Sequence, residues 1–583
     1  MTFEVMITCL QRRVHATRAR LGRHNVGMDA DDNLRQWLLT ADERDNSYTR
    51  IDARHDGDQA WSTGNHARPL VHGATYFAEL YERIQATEPG DLILFTDWRG
   101  DASEQLTDDP DSTVLKVLAA ADLRGVDVRG LIWRSHWEGL NFSAEQNRHL
   151  AKLLQKADAE VLLDMRVRAL GSHHQKFVVI RHKDDPSRDI AYVGGIDLCH
   201  SRRDDARHLG DPQPHGMSEV YGPTPPWHDV QVALSGPVVH DVETVFRERW
   251  EDPNPVTRNP GYRIKDRLRG IDLTPAPLPP QAPPPPPIEG ATHVIQLLRT
   301  YPNLSFGRGY SFAPDGERSV ARGYSKAIRK GANLIYVEDQ YFWSADVAES
   351  FVERLRENPE LHMIAVVPHS PDQTGMTSRV PQLLGRYLAM RKLLKVAPDR
   401  VAVYSVENHD GTPVYVHAKV CVIDDQWSVI GSDNFNRRSW THDSELSAAV
   451  MDSGDDHSPY ARRLRLTLAA EHLDRELGPD TFPGDISVLE KGREPEDLDD
   501  ALLLDVMGDC VDPQGMLRAY AESAAALDAW HDGGEAGPRP AGRLRKLEVP
   551  KFSFLTRVLW GPLYRKLVDP DGRPHRIRRY RRF

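Results

Sequence analysis

VHAKVCVIDDQWSVIGSDNFNRRSW, residues Val416 to Trp440, is the stretch whose reading decides the fold. Two apolar, β-branched runs, KVCVI and WSVIG, flank a short polar turn and predict a pair of adjacent strands ending in a glycine turn. Alternate side chains of a strand share a face, so His417 and Lys419 project together at the start of the first run. An imidazole that titrates near neutrality beside a fixed ammonium charge suits a phosphate ester: the lysine meets non-bridging oxygens, and the histidine attacks phosphorus or moves a proton.

Working outward, the same arrangement occurs earlier, in HHQKFVVI and YVGGIDL. There His174 and Lys176 occupy the equivalent positions, and about six extra residues, in RHKDDPSRD, lengthen the hairpin loop. Upstream, Leu92–Asp97 matches Leu334–Asp339 in register; His174 follows Asp97 by 77 residues and His417 follows Asp339 by 78. Such agreement marks an internal duplication. Helical patterns alternating with apolar strands in each copy predict an α/β fold: two duplicated domains of mixed sheets flanked by helices, packed about a pseudo-twofold axis with the active site between them. PAPLPPQAPPPPP at residues 275–287, nine prolines in thirteen residues, excludes helix or central strand and predicts an extended connector. The expected boundaries are an N-terminal extension 1–69, a first domain 70–273, a linker 274–290, a second domain 291–475 and a C-terminal region 476–583.

The chain is 583 residues long with 27% charged residues and a net charge of −12, the range of a soluble multidomain protein rather than a small stapled scaffold or a multispanning membrane protein. Charge is uneven: from Ala541 to Phe583 there are 13 lysines and arginines against 3 acids, interleaved with aromatic residues. That pattern suits an anionic lipid surface or nucleic acid, and equally a tail folded over the acidic body. The four cysteines, Cys9, Cys199, Cys421 and Cys510, show neither disulfide nor metal spacing. With a start lacking the order of a secretory signal, they fit a reducing, cytoplasmic setting. No EF-hand, Walker or Rossmann motif occurs, so neither metal nor cofactor is expected.

His417, Lys419 and Asp424, as H-x-K-x-x-x-x-D followed by GSDNFNRRSW, resemble the duplicated signature of the phospholipase D superfamily. The resemblance runs through HGATYF, FTDWRGD, HHQK, YVGGIDLC, PWHDVQVALSGPVVHDV, FRERW, FAPDGERSV and EDQYFW, covers most of residues 70–475, and is to the bacterial and plant phospholipid-cleaving branch. It implies metal-free, two-step phosphatidyl transfer. His174 is then the nucleophile that becomes phosphohistidine, and His417 the acid that protonates the leaving alcohol and later activates water or an acceptor alcohol. Lys176, Lys419, Asn434 and Ser432 would bind the charged oxygens; the match to Asn434 in the first half is Asp197, a departure that weakens such contacts. The supporting acid of His417 is placed at Glu445 and that of His174 at Asp204, with Asp205 as a rival. Arg181 stands where the first motif requires aspartate. Either that acid is structural and activity is retained, with Asp184 or Asp185 as spatial substitutes, or the first half has decayed and the protein binds phosphodiesters without turning them over.

His173, on the opposite strand face, reads as a packing residue, and His228 of PWHD as a capping, core or catalytic group. Gln340 and Tyr341 end a strand where they line a headgroup cleft or simply pack. Arg134, Trp98 and Trp137 fit the same description, the tryptophans as a wall for a choline-like cation. The leading functional expectation is hydrolysis or transphosphatidylation of glycerophospholipids to phosphatidic acid and free headgroup, by a monomer that meets anionic membrane through its basic tail. The alternatives are a nuclease or other phosphodiesterase, although the acidic body argues against a long nucleic-acid footprint, and a non-enzymatic lipid-binding scaffold.

Overall fold

The run Leu92–Asp97 has no polar residue before its last two positions, and such runs form strands covered on both faces. In the computed structural model, which describes residues 30–136, 143–304, 309–342, 344–372, 376–453, 459–477, 500–574, 576–578 and 583, this segment is the centre of a mixed sheet. The first-half strands are β1 (Ser62–Val71), β2 (Leu92–Asp97), β3 (Asp127–Trp133), β4 (Glu160–Asp164), β5 (Phe177–Arg181), β6 (Ile190–Gly194), β7 (Trp227–His228) and β8 (Val230–Ser235). Seven of them pair in the order β4-β3-β2-β5-β6-β8-β1, with β2, β3 and β4 parallel and the remainder antiparallel.

The second half repeats the order. Its strands are β9 (His293–Tyr301), β10 (Glu317–Arg318), β11 (Leu334–Asp339), β12 (His362–Val366), β13 (Val401–Glu407), β14 (Pro413–Val416), β15 (Lys419–Ile423), β16 (Trp427–Gly431) and β17 (Glu445–Asp452). They pair as β13-β12-β11-β15-β16-β17-β9, again with three parallel strands followed by antiparallel ones. The glycine turns expected after the second strands have a steric cause. A Cβ on Gly431 would sit 1.7 Å from Ser447 Oγ, and one on Gly194 2.3 Å from Gln231 Oε1, so only glycine lets β16 and β6 approach β17 and β8 there.

The inner strands of both sheets bury two faces. Ile93, Phe95, Val128, Ile132, Val178 and Ile180 face helices, among them Gly73–Gln85, which supplies Tyr76, Phe77, Leu80 and Ile84 from one stripe. Leu94, Leu131, Val179 and Val193 point the other way, into a cluster that also holds Tyr336, Ile364, Val420, Val422, Ile430 and Val450 of the second half. The halves therefore share a core.

Residues expected as flanking regions are built into this body. β1 begins at Ser62 and pairs with both β8 and β9, joining the two sheets. Leu34, Trp37, Leu38 and Leu39 enter the helix-side core of the second half. Residues 274–287 have no regular secondary structure and lie along the first half, where Trp250 Nε1, Gln281 Nε2 and Arg181 Nη2 bond to Ala276 O, His240 O and Pro283 O at 2.8, 3.0 and 2.7 Å. Prolines lack N–H groups, so a proline such as Pro283 is held through its carbonyl alone, and Ala276 and Gln281 supply the connector's donors. From the C-terminal region, β18 (Leu544–Lys546) adds to the edge of the second sheet against β13. Cys9 and Trp137 lie outside the described residues; Cys199, Cys421 and Cys510 are buried thiols.

Candidate active site

β5 and β15 begin just after Lys176 and at Lys419, and the residues before them cross to the other half. His174 N donates to Ser444 O at 2.9 Å and Ser444 N to Ser172 O at 3.0 Å. Reciprocally, Tyr415 and Val416 pair in parallel with Trp227 and His228, and His417 N donates to His228 O at 2.7 Å. These two short crossings set the geometry of both histidines.

The consequence is an exchange of carboxylates. His174 Nδ1 lies 2.8 Å from Glu445 Oε2, and His417 Nδ1 lies 2.6 Å from Asp229 Oδ2. Glu445 and Asp229 are counterparts in the duplication, because Ser447 pairs with Gly431 as Gln231 pairs with Gly194, and each acid sits two residues earlier. Each half thus supplies the acid for the other half's histidine. This corrects the expected pairing: Glu445 serves His174, not His417. Asp204 is occupied by the amides of Asp205, Gly210 and Trp227 at 2.9, 3.0 and 2.7 Å, and its rival Asp205 is paired with Arg207. The acid facing His417, Asp229, was legible only as part of PWHDVQV.

A carboxylate on Nδ1 fixes the tautomer that carries its proton there and leaves Nε2 with a lone pair. Burial and the Lys176 and Lys419 charges push His174 well below the ordinary histidine range and burial pushes Glu445 upward, so the two titrate as one coupled pair. His417 is lowered by burial and by Lys419, Arg202, Lys176 and His174, so both histidines and both lysines act on one another across one site. The His174 side chain keeps 15% exposure and that of His417 6%.

Lys176 Nζ donates to His174 O at 3.0 Å and stands 3.6 Å from Asp197. Lys419 Nζ donates to His417 O and to Gln340 Oε1, the latter at 3.2 Å, and burial lowers it to about 8. Ser432 Oγ donates to Glu445 Oε2 at 2.6 Å, so it holds the acid. Asn434 is buried and its Oδ1 has no hydrogen-bond partner among the described residues. Its counterpart Asp197 instead accepts the amides of Trp98 and Arg99 at 2.9 and 3.2 Å. Gln340 also donates to Tyr415 Oη at 3.0 Å, and with Tyr341, Pro371, Gln382, Leu383 and Arg386 it lines a small cleft.

Asp424 does not reach the site. It follows β15, whose other end carries His417, and accepts the amides of Ala332, Asn333 and Leu334 at 2.6, 2.7 and 2.8 Å. It clamps the entry to β11. In the first half Asp91 and Asp189 accept the amides of Lys183 and His182 at 2.9 and 2.6 Å, whereas Asp185 caps Ser187 within its own loop. Arg181 is buried between Asp189 and Glu243 at 2.8 and 2.7 Å. The last position of the motif, Arg181 in one half and Asp424 in the other, therefore makes its contacts away from the histidines in both halves.

Aromatic rings flank each histidine. Trp98 stacks on Trp133 and meets His174 edge-on with centroids 6.2 Å apart, and Trp227 lies 4.8 Å from His417 beneath the Arg202 guanidinium. Trp227 had no signal beyond its family block, and Arg202 lies outside every such block. Arg134 is bound to Asp266 at 2.6 and 2.9 Å and stacks on Tyr262. His173 is fully buried near Asp164.

Two family models match the chain: Phospholipase D over residues 108–366, and Cardiolipin synthase, PLD-like domain, over residues 380–464. Among curated proteins it is similar to Phospholipase D alpha 1 of Cynara cardunculus, at 24% identity over 54% of this chain and 50% of the relative. The same protein of Zea mays matches at 25% over 49% and 46%, and that of Brassica oleracea var. capitata at 24% over 80% and 73%. The match spans about half the length of the first two. Among solved structures it is similar to phosphatidylserine synthase of Haemophilus influenzae Rd KW20, with a TM-score of 0.44, 11% identity, and 66% and 82% of the two chains covered. Polyphosphate kinase of Porphyromonas gingivalis gives a TM-score of 0.37, 11% identity, and coverage of 77% and 51%.

Proposed function

The chain belongs to the phospholipase D superfamily, and from that premise we propose that it is a phosphodiesterase that hydrolyses or transphosphatidylates glycerophospholipids through a phosphohistidine. The observation that carries the reading is the crossed pairing, His174 on Glu445 and His417 on Asp229, which turns both Nδ1 atoms to acids in a site where Lys176 and Lys419 act on both rings. His174, the more exposed and with its Nδ1 proton held by Glu445, attacks phosphorus with its Nε2 lone pair. Lys176 and Lys419 offset the charge gathering on the non-bridging oxygens. The phosphodiester's own negative charge counters the lysine field that depresses His417, so His417 takes up a proton on Nε2 and delivers it to the departing headgroup oxygen. In the second step His417 removes a proton from water or an alcohol, which attacks the phosphohistidine and regenerates His174.

A lipid rather than a soluble diester is favoured by the helix Phe554–Leu563, which buries none of its residues. Phe554, Leu555, Val558 and Leu559 are 73%, 65%, 53% and 65% exposed, and Lys551, Arg557, Arg565 and Lys566 lie close to them in sequence. Exposed apolar side chains in a cation-rich segment suit insertion into an anionic interface. The helix packs on Met376–Val396, which carries the cleft residues Gln382, Leu383 and Arg386. Among the described residues no helix is long and apolar enough to cross a membrane.

The test is incubation with phosphatidylcholine and phosphatidylethanolamine vesicles containing ethanol, following phosphatidic acid and phosphatidylethanol, with His174→Ala and His417→Ala as controls. Phosphatidylethanol from wild type alone is the expected result. Absence of product on bound vesicles would replace this reading with the scaffold; absence of both binding and product would replace it with a soluble diester or a nucleic acid.

A further inference from the structure

One residue from Asp229 lies a second polar cluster that the proposed chemistry does not use. We propose that His72, His208, His228 and Glu471 bind one divalent transition-metal ion, zinc by the character of the donors, as a structural bolt behind His417. All four side chains are buried, and one donor atom from each falls within 4.8 Å of the others. His72 Nε2 is 2.8 Å from Glu471 Oε2, His208 Nε2 is 2.9 Å from Glu471 Oε1, and His228 Nδ1 is 3.4 Å from Glu471 Oε1 without hydrogen-bonding geometry.

The outer hydrogen bonds supply the argument. His208 Nδ1 faces the Trp227 carbonyl at 3.1 Å, and a carbonyl only accepts, so Nδ1 carries the proton. His228 Nε2 faces Glu338 Oε2 at 2.6 Å and likewise donates. In the neutral rings the inner nitrogens, His208 Nε2 and His228 Nδ1, then aim lone pairs at the Glu471 carboxylate. Lone pairs facing a carboxylate in a dry interior call for a positive centre: protons on the rings supply it in the metal-free protein, and one metal ion displaces those protons and serves all three imidazoles and the carboxylate together. A histidine held from outside by a carboxylate or a backbone carbonyl is the usual arrangement around a metal.

Ring geometry agrees. The three imidazoles meet at 87°, 72° and 59° with centroids 4.8, 5.2 and 5.7 Å apart. Imidazoles bound tetrahedrally through nitrogen at about 2.0–2.1 Å have centroids roughly 5 Å apart. Three nitrogens and one oxygen suit zinc and poorly suit calcium or magnesium, which take oxygen shells. His72 is moreover held at φ 71°, a left-handed conformation unfavourable for histidine, before the helix Gly73–Gln85 that it does not cap through its side chain. Glu338, which also accepts from His472 Nε2 and Tyr336 Oη at 2.8 and 2.6 Å, forms the outer layer.

The site would tie the first half, through three histidines, to the helix Pro459–His472 that carries Glu471. It also braces the pair in the cleft, because His72 N donates to Asp229 O at 2.9 Å and His417 N to His228 O at 2.7 Å. The full chain, free of any histidine tag and purified with zinc present, should retain about one zinc ion per chain after dialysis. His208→Ala should lose it, and Glu338→Gln should weaken zinc roughly 10–100-fold. His174→Ala/His417→Ala should retain it in full, and cobalt in the wild type should give the intense visible bands of a tetrahedral site. A zinc-replete wild type that holds no metal and shows no thermal shift with zinc or cobalt would overturn the proposal, as would loss of the ion in the His174→Ala/His417→Ala protein. Neither result depends on His208→Ala folding.

Discussion

Replacing Asp229 by asparagine removes one negative charge from the crossed pairing while keeping side-chain volume. The hydrogen bond between Asp229 and His417 is 2.6 Å long, fully buried and charge-assisted, a class that contributes about 1.5–3 kcal/mol. At 1.36 kcal/mol per decade, removing it gives roughly a 10–150-fold fall in kcat/KM. If the asparagine amide turns its N–H toward Nδ1, the ring is forced into the tautomer with its proton on Nε2, and the loss grows toward about 10⁴-fold. KM should change little, since the group acts on His417 and not on the lipid. The assay is vesicle hydrolysis with Asp229→Asn, Asp204→Asn, His417→Ala and the Asp229→Asn/His417→Ala double variant. Groups acting through one another are not additive, so the double variant should be no slower than His417→Ala. An Asp229→Asn enzyme within about twofold of wild type, or an Asp204→Asn enzyme that is folded yet slower, would refute the reasoning.

Three further outcomes are expected. Lys419, lowered to about 8 by burial, is charged below that pH and loses its proton as pH rises through it, so kcat/KM should decline on that alkaline limb. Lys419→Arg, which stays charged, should shift the limb upward even with a lower maximum, and an unmoved limb would assign the titration to another group. Arg181→Asp, which restores the motif aspartate, should destabilise by about 3–5 kcal/mol in denaturant unfolding without raising activity, because it takes the arginine from Asp189, leaves Glu243 with Arg247 alone and adds a third acid; a stable, more active variant would return Arg181 to the site. Leu555→Asp/Leu559→Asp should weaken binding to anionic vesicles by about 3 kcal/mol, roughly 100-fold, while leaving hydrolysis of a short-chain soluble lipid unchanged, and equal losses on both substrates would exclude an interfacial role.

Local order was legible because it is written in neighbouring residues. Leu92–Asp97 and Leu334–Asp339, aligned by pattern alone, are the bounds of β2 and β11. The pairing of Lys176 with His174 and of Lys419 with His417 follows from strand alternation, and the duplication from a spacing that agrees within one residue. Arg181 was legible as a departure, yet its meaning was not, since the acids that receive it are 8 and 62 positions away, and one of them lies on another element.

Partnership across the pseudo-twofold axis was decided by tertiary structure. The family resemblance implies for each histidine an acid of its own half, whereas the crossings at Ser444 and His228 carry each histidine into the other half's sheet, so its acid is 188 or 271 residues distant. His72, His208, His228 and Glu471 are spread over four segments, none with metal-ligand spacing, and only packing gathers them. Strand periodicity is a property of consecutive residues and survives in one dimension. Which side chains face one another across the interface depends on how two folded sheets dock, and that is set by the shared core as a whole.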